Sequence, residues 1–323
     1  MFEKKYLFGN AAVYYTECPV EGHENKTMIG LAIYPKDVKV DPARLYCDSL
    51  VQAAFTGDEA LIDYTYGVTM RNRAGAVLRV ESQTASEKGV TTVLSDGKGN
   101  WYTHYLEYSP ESDVFTVWVR YENRTGKTRT LEMLESFSLS GIAAPSSEVK
   151  NTCGLKLHRM TSAWSRECRP RTDEFSALGL DMSWARHGVK VEKWGEVGSM
   201  SNRGWYPFAA IEDSAAGVVW AIQLEAPYSW QMEVYEEKET CSLSAGAADY
   251  EFGHWRKNIP AGTAFETDKA FLAVKEPGAI SLQPRGAMLD EHIKCQISNV
   301  PSADHNSRPT LREQQRMLVR KIT

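Results

Sequence analysis

Seven histidines and six cysteines are the side chains most able to carry chemistry, and their spacing gives none of them an evident partner. His23, His104, His158, His187, His254, His292 and His305 stand singly. Cys18, Cys47, Cys153, Cys168, Cys241 and Cys295 form neither a CxxC pair nor a regular framework. There is no Gly-rich phosphate loop, no HExxH, no GxSxG and no paired Cys–His metal spacing. Carboxylates are plentiful, but an acid/base couple is defined by separation in space, which these spacings do not supply. The residues therefore nominate no catalytic group, no metal ligand and no cofactor. His158 sits in an alternating run and is expected to be a hydrogen-bonded core or surface residue.

Binding chemistry is better represented. The stretch 155–208 reads LKLHRMTSAWSRECRPR, a polar spacer, then SNRGWYPF. Trp164, Arg166, Glu167, Arg169 and Arg171 crowd together there, and so many charges are expensive to bury, which points to a surface or an interface. Trp164 itself is expected in the core. Trp205, beside Pro207, offers an aromatic wall on which the C–H face of a sugar ring could lie. The Met70-Arg71-Asn72 segment offers a guanidinium fork suited to hydroxyls and carboxylates. The blander alternatives are a surface ion pair for Arg71 and a packed indole for Trp205.

The elements that must position these residues are strands. Residues 5–17 and 28–35 read as strands, followed by a Pro-broken surface loop. A strand around Leu50–Phe55 meets a Gly57–Asp58 turn, and a second strand-like run ends at Asn72. VLRVESQ at 77–83 alternates strictly. From 89 to 140 the period of two predicts GVTTVL, then a long hairpin, TVWVRYEN–RTGK–TRTLEMLESFSL, turning at Gly126. In it Val117, Val119 and Tyr121 share one face, with Trp118 and Arg120 on the other. Strands follow at 155–164, 189–195, 208–212, 217–225, 230–235 and 268–274, those at 208–225 forming a hairpin. So many strands with hardly a helix predict an all-β antiparallel sandwich over residues 1–277. After Pro277 the pattern yields a short helix near Met288–Cys295 and a Pro-Ser linker, 278–306. The basic run 307–323, SRPTLREQQRMLVRKIT, places Leu311, Leu318 and Ile322 on one helical face and is expected to be a solvated tail.

Composition sets outer bounds. Apolar residues make up 42% and charged residues 24%, ordinary for a globular chain. A net charge of −5 argues against a nucleic-acid partner. No run of eighteen apolar residues is present, so no membrane span is expected. The N-terminus lacks a signal-peptide pattern, and the scattered cysteines are expected as reduced, packed thiols of a cytoplasmic protein. The sequons at Asn25 and Asn123 are read as chance. Nine Trp and fifteen Tyr suit both a broad β-core and a sugar-binding surface.

Six segments in order carry a resemblance: SLVQ…TGD (49–58), GVTMRN (67–72), YENRTGKTRTLEMLESFSLSGI (121–142), LHRMTSAWSRECRP (157–170), NRGWYPFAAI (202–211) and VVWAIQLEAPYSWQMEV (218–234). Together they resemble the N-terminal half of glycoside hydrolase family 36 α-galactosidases, over roughly residues 5–300. The resemblance implies a β-supersandwich that packs on a (β/α)8 barrel, helps build a homo-oligomer and lends loop residues to an active-site rim, where Arg71, Asn72 and Trp205 are the candidate substrate-binding residues. It implies hydrolysis of terminal α-galactosides such as melibiose and raffinose by the parent enzyme, through two barrel aspartates. Residues 278–306 resemble the lead-in to the barrel's first strand. The family's Lys-Trp-Asp segment has no counterpart, since the KWG at 193–195 lacks the aspartate, and its Ser-Gly-Gly segment is absent. This chain is therefore expected to hydrolyse nothing by itself. The composition switch after Asn306 fits either a shifted reading frame or a stand-alone sandwich with a new tail. A stand-alone carbohydrate-binding or oligomerisation module is the alternative reading.

Overall fold

The computed structural model describes residues 3–19, 27–42, 45, 47–58, 77–143, 154–163, 166, 168–180, 190–237 and 240–277. Nineteen strands occur among them, with one single-turn α-helix and one 3-10 turn, Phe175–Leu178. The chain opens with β1 (Glu3–Phe8), β2 (Ala11–Pro19) and β3 (Thr27–Pro35), an antiparallel three-stranded sheet. The single strand expected over 5–17 is instead two, because Gly9 takes φ +53 and turns the chain back. The open left-handed conformation needs glycine here, and a Cβ at this position would also lie 1.9 Å from the Tyr108 hydroxyl. β3 is buried on both faces, with the Trp220 indole donating to Ile33 O at 2.6 Å.

A short β4 (Ala53–Phe55) precedes a four-strand meander: β5 (Arg79–Ser86), β6 (Gly89–Ser95), β7 (Asn100–Ser109) and β8 (Val114–Asn123). The facing assigned from the period of two holds in β8: Val117, Val119 and Tyr121 are buried, Trp118 and Arg120 half-buried. β9 (Arg129–Ile142) follows. The hairpin expected between β8 and β9 does not form, because the two strands belong to different sheets. β8 pairs with β7, β18 and β19, whereas β9 pairs with β4, β16 and β17. The turn at Gly126 is real, but Asn123 redirects the chain. Its buried side-chain amide donates to Lys127 O at 2.7 Å and to Ile259 O at 2.8 Å, anchoring a crossover rather than a ladder. That same burial seals the Asn123 sequon.

The second half contributes β10 (Leu155–Thr161), β11 (Arg169–Glu174), β12 (Lys190–Glu196), β13 (Trp205–Asp213), β14 (Val218–Leu224), β15 (Trp230–Glu237) and β16 (Thr240–Ala247). The one-turn helix α1 (Tyr250–Gly253) is capped by the Asp249 carboxylate accepting from Phe252 N–H, and β17 (Lys257–Ile259), β18 (Ala264–Glu266) and β19 (Ala270–Lys275) finish the set. A ten-stranded sheet runs β11-β10-β13-β14-β19-β8-β7-β6-β5, with β18 beside β8. A six-stranded sheet runs β12-β15-β16-β9-β17, with β4 beside β9. All pairings are antiparallel, and one continuous apolar core fills the space between the sheets, from Phe8 and Tyr34 to Trp220, Trp230 and Leu272. The all-β antiparallel sandwich expected from the sequence is the observed fold. The helix near Met288–Cys295, both segments past residue 277, Arg71, Asn72 and Trp164 lie outside the described residues.

The cysteines require a correction. Cys18, at the end of β2, and Cys47 are joined as a disulfide, with Cα atoms 6.0 Å apart, rather than standing as two reduced thiols. The hairpin β2–β3 brings the Cys47 segment against Gly30, a proximity that 29 residues of separation conceal. This pair no longer supports a reducing compartment. Closing a loop of 29 residues predicts that Cys18→Ser lowers the unfolding free energy by about 3–4 kcal/mol. Chemical unfolding of wild type and variant, each with and without reductant, checks this, and a wild type indifferent to reductant would contradict it.

Candidate functional site

The charged stretch around 159–171 divides in two. Arg166, Arg169 and Arg171 are exposed, as expected. Arg159, which the sequence did not single out, is buried at the open edge of the sandwich. In β10 it shares a face with Leu155 and Leu157 and so points inward, where the edge strands of both sheets meet. Its guanidinium donates to Asp173 of β11 at 2.7 Å and to Glu192 of β12. It lies 5.1 Å from the Trp194 ring centroid and 4.8 Å from that of Trp205. Burial works to raise the Asp173 carboxyl, but the hydrogen bonds from Arg159 and Arg171 win and hold it below the ordinary value. Trp205, the candidate sugar wall, thus has this guanidinium against its ring.

Glu196, at the end of β12, organises the loop that follows. One carboxylate oxygen accepts from Gly204 N–H and Trp205 N–H, both at 2.7 Å. Gly204 is required for that approach, since a Cβ there would fall 2.6 Å from the same oxygen. The loop is further tied down by Gly198 N–H donating to Ser229 Oγ at 2.8 Å and Trp230 Nε1–H donating to Ser201 O at 2.5 Å. From this fixed frame Val197, Met200 and Tyr228 are held out, 48%, 53% and 38% exposed. Scattered exposed apolar residues are ordinary; these three stand on two loops joined by the Gly198–Ser229 hydrogen bond. Trp205 leads directly out of the same loop; Arg71 and Asn72 are not placed.

The KWG segment lies in β12, as its position within the sandwich required. Lys193 pairs with Asp249 at 2.8 Å and Glu233 at 3.8 Å. Nearby, Gln231 donates to Glu135 at 3.0 Å. Burial, with Asp249 adding to it, raises the Glu135 carboxyl well above its ordinary value. This is a polar layer between strands, mostly buried, with Lys193 at its partly exposed end. His158 is hydrogen-bonded to Thr172 (2.8 Å) and Glu212 (3.2 Å), as its alternating context suggested. Among the described residues no group of three or more His, Cys, Asp or Glu is arranged to hold a metal ion. No helix there is long and apolar enough to cross a membrane.

No protein-family model matches the sequence, and comparison with curated proteins gives no match. Solved structures do match. The family 36 α-galactosidase AgaA of Geobacillus stearothermophilus aligns with TM-score 0.59 and 14% identity, over 87% of this chain and 42% of that one. AgaB of the same organism aligns with TM-score 0.60 and 14% identity over the same shares. The α-galactosidase of Lactobacillus brevis aligns with TM-score 0.56 and 12% identity, over 87% and 40%. The chain spans about two fifths of the length of these enzymes, and across that span its fold is the one they contain.

Proposed function

We propose that this chain is the non-catalytic β-supersandwich portion of an α-galactosidase of the family 36 type, serving a catalytic barrel rather than acting alone. The carrying observation is the fold correspondence over 87% of this chain with only 42% of a complete enzyme. The ordered segment series from SLVQ to SWQMEV supports it independently. In this reading Val197, Met200 and Tyr228 contact the barrel, and the loop that positions them carries Trp205 to the active-site rim. Arg71 and Asn72 serve that rim, the substrate is a terminal α-galactoside held by the parent enzyme, and the assembled protein is a homo-oligomer. The Arg159 guanidinium against Trp205 weighs against an independent sugar platform, and hence against the stand-alone binding module.

Two measurements test the reading together. The pure chain should release no aryl leaving group from an aryl α-galactoside, and turnover would refute the non-catalytic assignment. The source DNA past codon 306, translated in all three frames, should resume an apolar barrel strand and later show Lys-Trp-Asp and Ser-Gly-Gly segments. If no frame does so, the sandwich is not part of such an enzyme.

A further inference from the structure

The edges of the sheets are protected unequally. An edge strand leaves every second backbone N–H and C=O without a ladder partner, and edges are ordinarily blunted by charge, proline, shortness or cover. Among the described residues, β1 carries Lys4 and Lys5, β3 is buried along nearly its whole length, and β17 is three residues long. β12 carries Lys190 and Lys193, and β11 carries Pro170 between Arg169 and Arg171. β5, which ends the ten-stranded sheet opposite β11, is the exception. A bulge at Glu81 bends its start, but residues 82–86 pair regularly with β6 and hold no charge, proline or ring. Ser82, Thr84, Ala85 and Ser86 are exposed, and Gln83 is half-buried. The strand is also held still, because Gln83 donates to Thr92 Oγ1 at 2.8 Å and accepts from the Tyr6 hydroxyl at 2.9 Å.

We propose that β5 is a pairing edge for β5 of a second copy of this chain, antiparallel about a twofold axis at Gln83. The charges that flank the neutral run argue for self-pairing. Arg79 lies as far before Gln83 as Glu87 lies after it, and both are exposed. Antiparallel pairing centred on Gln83 therefore sets Arg79 of each copy against Glu87 of the other. A slip of one residue sets Arg79 against Lys88 instead, or leaves it facing Ser86, so the charges select the register as well as the partner. The turn that carries Glu87 is fixed by Lys88 N–H donating to Ser86 Oγ at 3.2 Å and by Gly89 at φ +141. Paired in this way, the two ten-stranded sheets run on as one across the axis. A few backbone hydrogen bonds and two exposed ion pairs make a small contact, so the dimer it forms is a weak one. The proposal deepens the homo-oligomer part of the proposed function and rests on that part alone, since it needs a second copy but neither barrel nor sugar.

The test is sedimentation of the full chain over a concentration series, with circular dichroism showing that each variant is folded. The wild type should pass from monomer to dimer. Arg79→Glu, which sets like charges against Glu87, should raise the dissociation constant about tenfold. Adding Glu87→Arg should bring it back to within about threefold of wild type. Thr84→Lys, beside the axis, should raise it at least as much without touching the ion pair, and it asks the same question if Arg79→Glu does not fold. A monomer at every concentration would overturn the proposal. An oligomer indifferent to both Arg79→Glu and Thr84→Lys would overturn it too, while leaving the homo-oligomer reading in place through another surface. A loss on Arg79→Glu that Glu87→Arg leaves uncorrected would overturn the pairing about Gln83.

Discussion

Replacing Arg159 by alanine should lower the unfolding free energy by about 3 kcal/mol, the lower end of the range for breaking a buried pair, because Asp173 and Glu192 keep some access to water. Three losses coincide. Asp173 and Glu192 lose a common partner, a gap opens beside Trp194 and Trp205, and the edge strands of the two sheets lose their polar link. Lysine should not rescue, because a single ammonium cannot fork to two carboxylates and lie flat against an indole. Urea unfolding would show the midpoint falling with an unchanged slope. The comparison is Arg120→Ala, which breaks an exposed pair with Glu266 and should cost no more than about 0.5 kcal/mol. An Arg159→Ala loss as small as that of Arg120→Ala would reduce the clasp to a surface contact.

The second large effect concerns acid. His104 is fully buried in β7 between Thr92 and Val119, and neither ring nitrogen has a hydrogen-bond partner. Burial pushes its pKa from 6.5 down to about 3. The folded state thus takes up the proton less readily than the unfolded state. The neutral ring's contribution is complete above pH 6.5, falls as pH drops, and is gone below about 3. Over that window the slope approaches about 1.4 kcal/mol per pH unit, several kcal/mol in all. Asp173, with its lowered pKa, also withdraws stability in acid, so the observable is a difference between proteins. His104→Leu should flatten the curve between pH 6.5 and 4 and raise stability at neutral pH by about 1–3 kcal/mol, the cost of the unpaired ring polar groups. Parallel wild-type and variant curves would show that His104 is solvated in the folded protein.

Regular alternation made most strands legible. β8 could be read residue by residue because one face meets the core and the other meets water. β7 is harder to read from sequence, since Trp101, Tyr102 and Tyr105 place bulky rings on both faces and blur the contrast on which periodicity depends. β11 carries no strand signal in the sequence, because Arg169, Arg171 and Glu174 suit an edge strand as well as a coil. The β8–β9 hairpin expected from the sequence does not form because a turn signal reports local backbone geometry and is silent about which sheet receives the returning strand. For the site, Trp205 stood out by residue type, whereas Arg159 looked like any alternating strand residue. Its importance comes from β11, β12 and β13 converging on it. The Cys18–Cys47 pair was hidden for the same reason.

The strand order has a consequence for synthesis. β19 is the last described strand in the chain, yet it sits in the middle of the largest sheet, between β14 and β8. Until residues 270–275 have left the ribosome, the meander β5–β8 and the block of β10, β11, β13 and β14 cannot join. Each meanwhile presents an unpaired edge, the kind of surface that recruits other chains. Any chain that stalls or is cut before β19 should therefore accumulate in inclusion bodies, while a released chain that includes β19 can zip the two halves together.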